Sequence, residues 1–182
     1  MRLLFPKPYA DFVARLRVPS GFALVAAFAW FSHPDARSLA YGLPVSLIGL
    51  AVRAWAAGHL AKNQTLAASG PYAYTRNPLY LGTLLVAAGL AVASRSAGLG
   101  ALFAAVFLCI YLPVIQLEQQ HLRSLFPEYA AYAARVPALL PRMTPAGQPH
   151  AFQWALYLKN REYQAAAGFL AGALFLLWKA LR

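Results

Sequence analysis

Acidic side chains are scarce in this 182-residue chain: five Asp and Glu stand against 16 Lys and Arg, and the four charged types together make up 12% of the residues. A soluble domain carries about 25%, so an ordinary soluble globule is excluded. One cysteine allows no internal disulfide and no thiolate metal site. It lies in an apolar run, where Cys109 reads as a small packing residue. The four histidines, His33, His59, His121 and His150, form no His-x-x-x-His pair, which removes the common helical zinc pattern. Twelve glycines and 13 prolines show no period, so collagen-like repeats are excluded, and the apolar excess excludes disorder.

What the chain has is hydrophobic length, with 60% of its residues apolar or aromatic. Five uninterrupted runs predict an all-α polytopic membrane protein with about five transmembrane helices: 18–32, 39–57, 79–93, 97–117 and 163–181. A bilayer core needs about 20 helical residues; the second, fourth and fifth runs reach that length, whereas the first and third are short. No small-residue cleavage site follows the first run, so it reads as a span and not as a removed leader. The whole of 1–182 reads as one integral membrane domain.

The basic surplus fits this organisation better than it fits a nucleic-acid binder, whose charges cluster on one face. With five spans, twelve Lys and Arg fall on the side of the N-terminus and four on the other, which predicts a cytoplasmic N-terminus and an outer C-terminus. Four of the five acids, Asp11, Glu118, Glu128 and Glu162, share the cytoplasmic side. The fourth span continues in good helix formers to Phe126, carrying Glu118 out of the membrane. Pro127 then opens a short amphipathic helix with Phe126, Tyr129, Tyr132, Ala133 and Val136 on one face, fit to lie on headgroups or to cap a site. Pro137, Pro141, Pro145 and Pro149 mark a linker after it. Gly98-Leu99-Gly100 has no strand before it and reads as close helix packing, not as a nucleotide loop.

The segment from Gly58 to Gly82 holds the densest chemistry. Ser69-Gly70-Pro71-Tyr72 reads as a tight turn. Asn77 is a good N-cap and Pro78 a good first helical residue, which places unsatisfied N–H groups and Arg76 at the start of the third span. Such a helix start suits an anionic group. Glu118 on the membrane surface requires a partner, for which Arg123 or Arg53 is available.

The stretch GPYAYTRNPLYLG resembles one signature of the integral membrane methyltransferases that include isoprenylcysteine carboxyl methyltransferase and phospholipid methyltransferases, and LEQQHLRSLFPEYAAYAARVPALLP resembles the second. Together they cover about residues 53–141. The resemblance implies S-adenosylmethionine as cofactor, S-adenosylhomocysteine as product, and a lipid or isoprenoid acceptor entering from the bilayer. It also implies that His59, Gly70, Pro71, Tyr72, Arg76, Asn77, Pro78, Tyr80 and Glu118 line the cofactor, with Arg76 and Glu118 as the catalytic pair. The sequence departs from the usual pattern at Asn77, where His is common, at Gln119, where a second acid is usual, and at Pro127. The region 157–163 matches no part of either signature. Two other classes share part of the pattern: an NADPH-dependent sterol-type reductase, which is usually longer, and a non-catalytic membrane scaffold. The charge split predicts that a cysteine placed at Ala67 is shielded from an impermeant thiol reagent in intact cells; labelling there would invert the topology.

Overall fold

The computed structural model describes residues 4–147 and 150–182, so Arg2 and Pro149 lie outside the described residues. Among the described residues seven helices follow one another: α1 Lys7–Phe31, α2 Ala36–Ala57, α3 Pro78–Ser94, α4 Ala97–Leu125, α5 Tyr129–Arg135, α6 Trp154–Lys159 and α7 Tyr163–Ala180. A 3-10 turn, Gly70–Ala73, lies between α2 and α3, and there is no strand among the described residues. Three helices, α1, α2 and α4, are long and apolar enough to cross a membrane; α3 is shorter, at 17 residues. All five expected runs therefore fall on a helix, while three of them meet the crossing criterion. The first run is longer than expected. Its helix starts at Lys7 and has 25 residues, because Asp11, Arg15 and Arg17 are exposed and interrupt only the apolar pattern, not the backbone ladder.

The closest helix pair is α2 with α3, which run antiparallel along a seam of glycines. A Cβ on Gly49 would lie 2.6 Å from Gly82 O and Val86 N, and one on Gly82 would lie 2.7 Å from Gly49 O. With no lipid-expelling force between helices inside a bilayer, close backbone approach and interhelical hydrogen bonds hold such a pair. Ser46 Oγ donates to Val86 O at 2.9 Å and Ser38 Oγ to Ala93 O at 2.9 Å. On the other flank, α7 packs Leu176 against Leu39 of α2 and Ala93 of α3.

Helix α4 carries a five-residue π-turn, Phe107–Tyr111, just before Pro113. Proline supplies no N–H, so the carbonyl of Cys109, four residues back, loses its helical donor. The Tyr9 hydroxyl from α1 donates to it at 2.7 Å. Gln116 adds a reciprocal pair with the Phe5 backbone at 3.1 and 2.8 Å, so α1 is fastened to α4 by polar contacts where its apolar packing is thin.

At the far end of the bundle, α1 turns into α2 at Ser32–Asp35. His33 N donates to Ser94 O at 2.9 Å, and Lys179 Nζ donates to Ala29 O at 2.9 Å and Trp30 O at 3.2 Å, meeting carbonyls that the end of α1 leaves open. Asp35 caps α2 in a capping box with Ser38 and accepts from Arg95 at 2.6 Å. The Ser38 amide, with Arg95 beside it, holds the Asp35 carboxyl below its ordinary range. A lowered folded value means that this carboxylate stabilises the fold above the usual carboxylate pKa and loses that effect as pH falls.

Gly49→Ala is expected to cost about 1–3 kcal/mol through forced separation of α2 and α3, read as a lower melting temperature in detergent. The melting-temperature gap between the native chain and Asp35→Asn should be present at neutral pH and close on acidification.

Candidate functional site

The two signature segments meet at the end of the bundle opposite the Asp35 cap. The proline-rich stretch after α5 is not a free linker but a strap laid along residues 73–77. Arg76 N donates to Pro137 O at 2.9 Å, Arg142 N to Tyr74 O at 3.0 Å and Ala146 N to Ala73 O at 3.0 Å. Thr75 Oγ1, whose residue is 2% exposed, donates to Leu139 O at 3.0 Å. After Pro127 the chain forms α5, and Tyr129, Tyr132 and Val136 pack on Leu66 and Ala68 of the α2–α3 connection and on Ala146.

The nine residues that the signatures single out divide into three neighbourhoods. His59 and Gly70 form the first. Gly70 has φ +55, and a Cβ there would lie 2.6 Å from the His59 ring, so only glycine lets the turn close over the imidazole. The ring nitrogens of His59 lie 2.9 Å from Trp55 O and 3.1 Å from His150 O, so the tautomer decides which of the two carbonyls accepts the ring N–H. A polar cleft of about 1030 Å³ opens beside it, lined in part by Gln64, Ser69, Arg135 and Gln153.

Pro71, Tyr72, Arg76, Asn77 and Pro78 form the second. Tyr132 donates to Tyr72 O at 2.8 Å. Burial pushes the phenols of Tyr72, Tyr129 and Tyr132 above their ordinary range, so all three keep their protons near neutrality. Asn77 occupies the N-cap of α3, as expected, yet its side chain does not cap the helix. Its Nδ2 donates to Ala138 O of the strap at 2.6 Å. Pro78 starts α3 and is fully buried. The Arg76 Nη1 donates to Tyr129 Oη at 3.3 Å, while its Nε is buried without a partner.

The third neighbourhood gathers Tyr80, Glu118 and Arg17. Tyr80 Oη donates to Glu118 Oε1 at 2.9 Å, and Arg17 Nη1 lies 3.4 Å from that oxygen and 3.5 Å from Tyr80 Oη. The partner of Glu118 is therefore Arg17 of α1, and not Arg123 or Arg53 as the sequence offered. Tyr80 also packs edge-on against Tyr111, which stacks on Phe107. Phe107 lines an apolar groove of about 570 Å³ between α3 and α4, with Leu84, Ala87, Ala91, Gly100 and Phe103 among its walls, and Tyr80 and Tyr111 stand one helical turn beyond Leu84 and Phe107. Tyr80, Leu84, Ala87 and Ala91 follow a helical stripe, as do Gly100, Phe103, Phe107 and Tyr111.

Arg53 turns the other way. It grips Glu162 at 2.6 and 3.1 Å and donates to Thr83, which ties α2, α3 and the start of α7 together. Asn160 donates to Ala57 O at 2.9 Å and Leu60 O at 2.8 Å and so closes the end of α2. The region 157–163, which resembled nothing useful, is thus a clamp on the site's floor. The one sequence signal for it was an acid, Glu162, in a chain with only five. Among the described residues, no group of three or more His, Cys, Asp and Glu stands close enough to hold a metal ion.

Residues 44–129 match the phospholipid methyltransferase family. Over 105 residues the chain is 40% identical to the cobalt-zinc-cadmium resistance protein CzcN of Cupriavidus metallidurans, covering 57% of this chain and 47% of that protein. Over 151 residues it is 31% identical to the nickel-cobalt-cadmium resistance protein NccN of Alcaligenes xylosoxydans xylosoxydans, covering 76% and 71%. The alignment thus spans about half of the first relative's length. No solved structure matches.

Removing one partner of a largely buried pair leaves the other charge stranded. Glu162→Gln is therefore expected to cost roughly 3 kcal/mol of stability, against less than about 1 kcal/mol for Arg17→Gln at its exposed pair. Thermal unfolding of the two variants in the same detergent measures the difference.

Proposed function

The chain belongs to the phospholipid methyltransferase family of membrane proteins, and on that premise we propose that it is an S-adenosylmethionine-dependent enzyme that methylates a carboxylate or amine on a lipidic or isoprenoid acceptor. The observation that carries this reading is the pairing of a cation and an acid, each with unused bonding capacity, on the two signatures. Arg76 has a buried Nε with no partner, and a buried guanidinium N–H calls for an acceptor. Glu118 is 47% exposed and held by single contacts, which leaves lone pairs for an ammonium. A cofactor bearing a carboxylate and an ammonium fits those two groups.

The chemistry the cofactor brings is an electrophilic methyl on a sulfonium: the acceptor's lone pair forms the new bond to carbon, the carbon–sulfur pair returns to sulfur, and S-adenosylhomocysteine leaves. The protein's part is placement and exclusion of water. Tyr129 orients Arg76 through its hydroxyl, and the strap fixes the backbone on either side of it. Tyr80 orients Glu118. The α3–α4 groove receives the apolar part of the acceptor from the bilayer and delivers its reacting end to Tyr80. Tyr72, Tyr129 and Tyr132 stay protonated, so none of them is a base; a carboxylate acceptor requires none, whereas an ammonium must first lose a proton. The charge split supports a cytoplasmic position for this end of the bundle and the N-terminus, with the C-terminus outside.

S-adenosylhomocysteine, and not NADPH, should raise the melting temperature of the purified protein. Stabilisation by NADPH alone would move the chain to the reductase class, and stabilisation by neither would leave a scaffold. Arg76→Ala and Glu118→Gln should each weaken S-adenosylhomocysteine binding by about tenfold or more, the worth of a charged hydrogen bond, while the protein stays folded. Unchanged affinity in both would remove the site assignment. Mass spectrometry of lipid extracts incubated with isotope-labelled cofactor identifies the acceptor.

A further inference from the structure

Among the described residues two arginine–glutamate pairs join helices in this bundle, and they differ in kind. Arg53 holds Glu162 with two nitrogens, and the side chains are only 22% and 10% exposed. Arg17 touches Glu118 with one nitrogen at 3.4 Å, and the side chains are 46% and 47% exposed. The first geometry is the strong, bidentate one; the second is long, single-contact and open to solvent or headgroups, a pair that another cation can displace. Tyr80 donates to the same carboxylate oxygen at 2.9 Å and so holds Glu118 independently of the long ion pair.

We propose that Arg17 is an exchangeable counter-ion of the site. The cofactor's ammonium takes its place on Glu118, and the freed guanidinium binds the anionic head of an acceptor whose apolar part lies between α3 and α4. This rests on the reading of the site as one for S-adenosylmethionine, and it adds a residue of α1 that lies outside the family match at 44–129. Three features converge on it. One helical turn beyond the groove's Leu84 and Phe107 stand Tyr80 and Tyr111, in contact with each other, so a head group leaving the groove on that side meets Tyr80, and Arg17 already stands 3.5 Å from that hydroxyl. With Glu118 and its ammonium neutralising each other, the charge left at the mouth is the positive Arg17. An anionic head is also the one that needs no base, in keeping with tyrosines that hold their protons. Because Arg17 cannot serve both anions, cofactor and acceptor must help each other bind, and that coupling is reciprocal.

The test is a thermodynamic cycle on the full chain in nanodiscs, with S-adenosylhomocysteine binding measured calorimetrically in phosphatidylcholine alone and in phosphatidylcholine containing oleate as the anionic single-chain probe. In the native chain oleate should tighten S-adenosylhomocysteine binding. Arg17→Gln should bind S-adenosylhomocysteine about twofold to fivefold more tightly without oleate, since a competing exposed ion pair is gone, and should show no response to oleate. Arg17→Lys should keep the response. A melting temperature near the native one in the absence of ligand confirms that the variants are folded. Weaker or unchanged S-adenosylhomocysteine binding by Arg17→Gln, or an oleate response that survives the substitution, overturns the exchange. No binding of S-adenosylhomocysteine by the native chain removes the underlying reading, and the exchange with it.

Discussion

The contact between α2 and α3 governs the rest of the molecule. Their glycine seam lets two backbones approach until Gly49 and Gly82 touch carbonyl to Cα, and that approach sets the position of everything joined to the pair. Arg53 extends from α2 alongside Gly82 because glycine leaves room for its stem, and from there it reaches Thr83 and Glu162. The connection between α2 and α3 is forced into a short span of space, and its turn at Gly70 closes over His59 at the end of α2. Inside a bilayer, where unpaired backbone groups find no water, such spacing is fixed by geometry more than by apolar burial.

The remaining helices attach to that pair with different degrees of permanence. α7 is locked by a buried bidentate ion pair and by Asn160 on the carbonyls of α2. The strap and α5 are tied by a row of backbone hydrogen bonds and a small tyrosine core. α4 packs on α3 where Gly100 meets Ala91 and shares an apolar groove with it, and α1 is joined to α4 by Tyr9 and Gln116 and to α3 through the long Arg17–Tyr80 contact beside Glu118. Rigid parts thus hold Arg76, whereas the most yielding contact is at Glu118, the side from which a lipid would arrive. A site that binds a water-soluble cofactor and a membrane-borne acceptor needs this asymmetry: one wall preorganised, the other able to open.

Much of this was legible without coordinates, and the failures share a cause. Apolar runs located all five main helices, and the two signatures located the turn, the start of α3 and Glu118. What misled were side-chain partners. Asn77 has the residue type of a helix cap, but its side-chain amide donates to Ala138 O of the strap, and the strap's path depends on where α5 docks. Glu118 needed a cation, and the sequence pattern offered Arg123 and Arg53. Only the crossing of α1 over α4 selects Arg17. Glu162 and Asn160 sit about a hundred residues from their partners, a separation over which no local pattern carries information.

The sequence by itself determined the class of molecule, because the length and polarity of a segment decide whether it can enter lipid, and it determined which residues have the chemistry for a site, because acids are few and the turn residues are specific to their backbone shape. Tertiary structure alone decided which charges neutralise one another. An arginine can pair with any carboxylate that its helix brings within a few ångströms, so the division into one buried lock and one open, exchangeable pair follows from helix crossings that no segment encodes on its own.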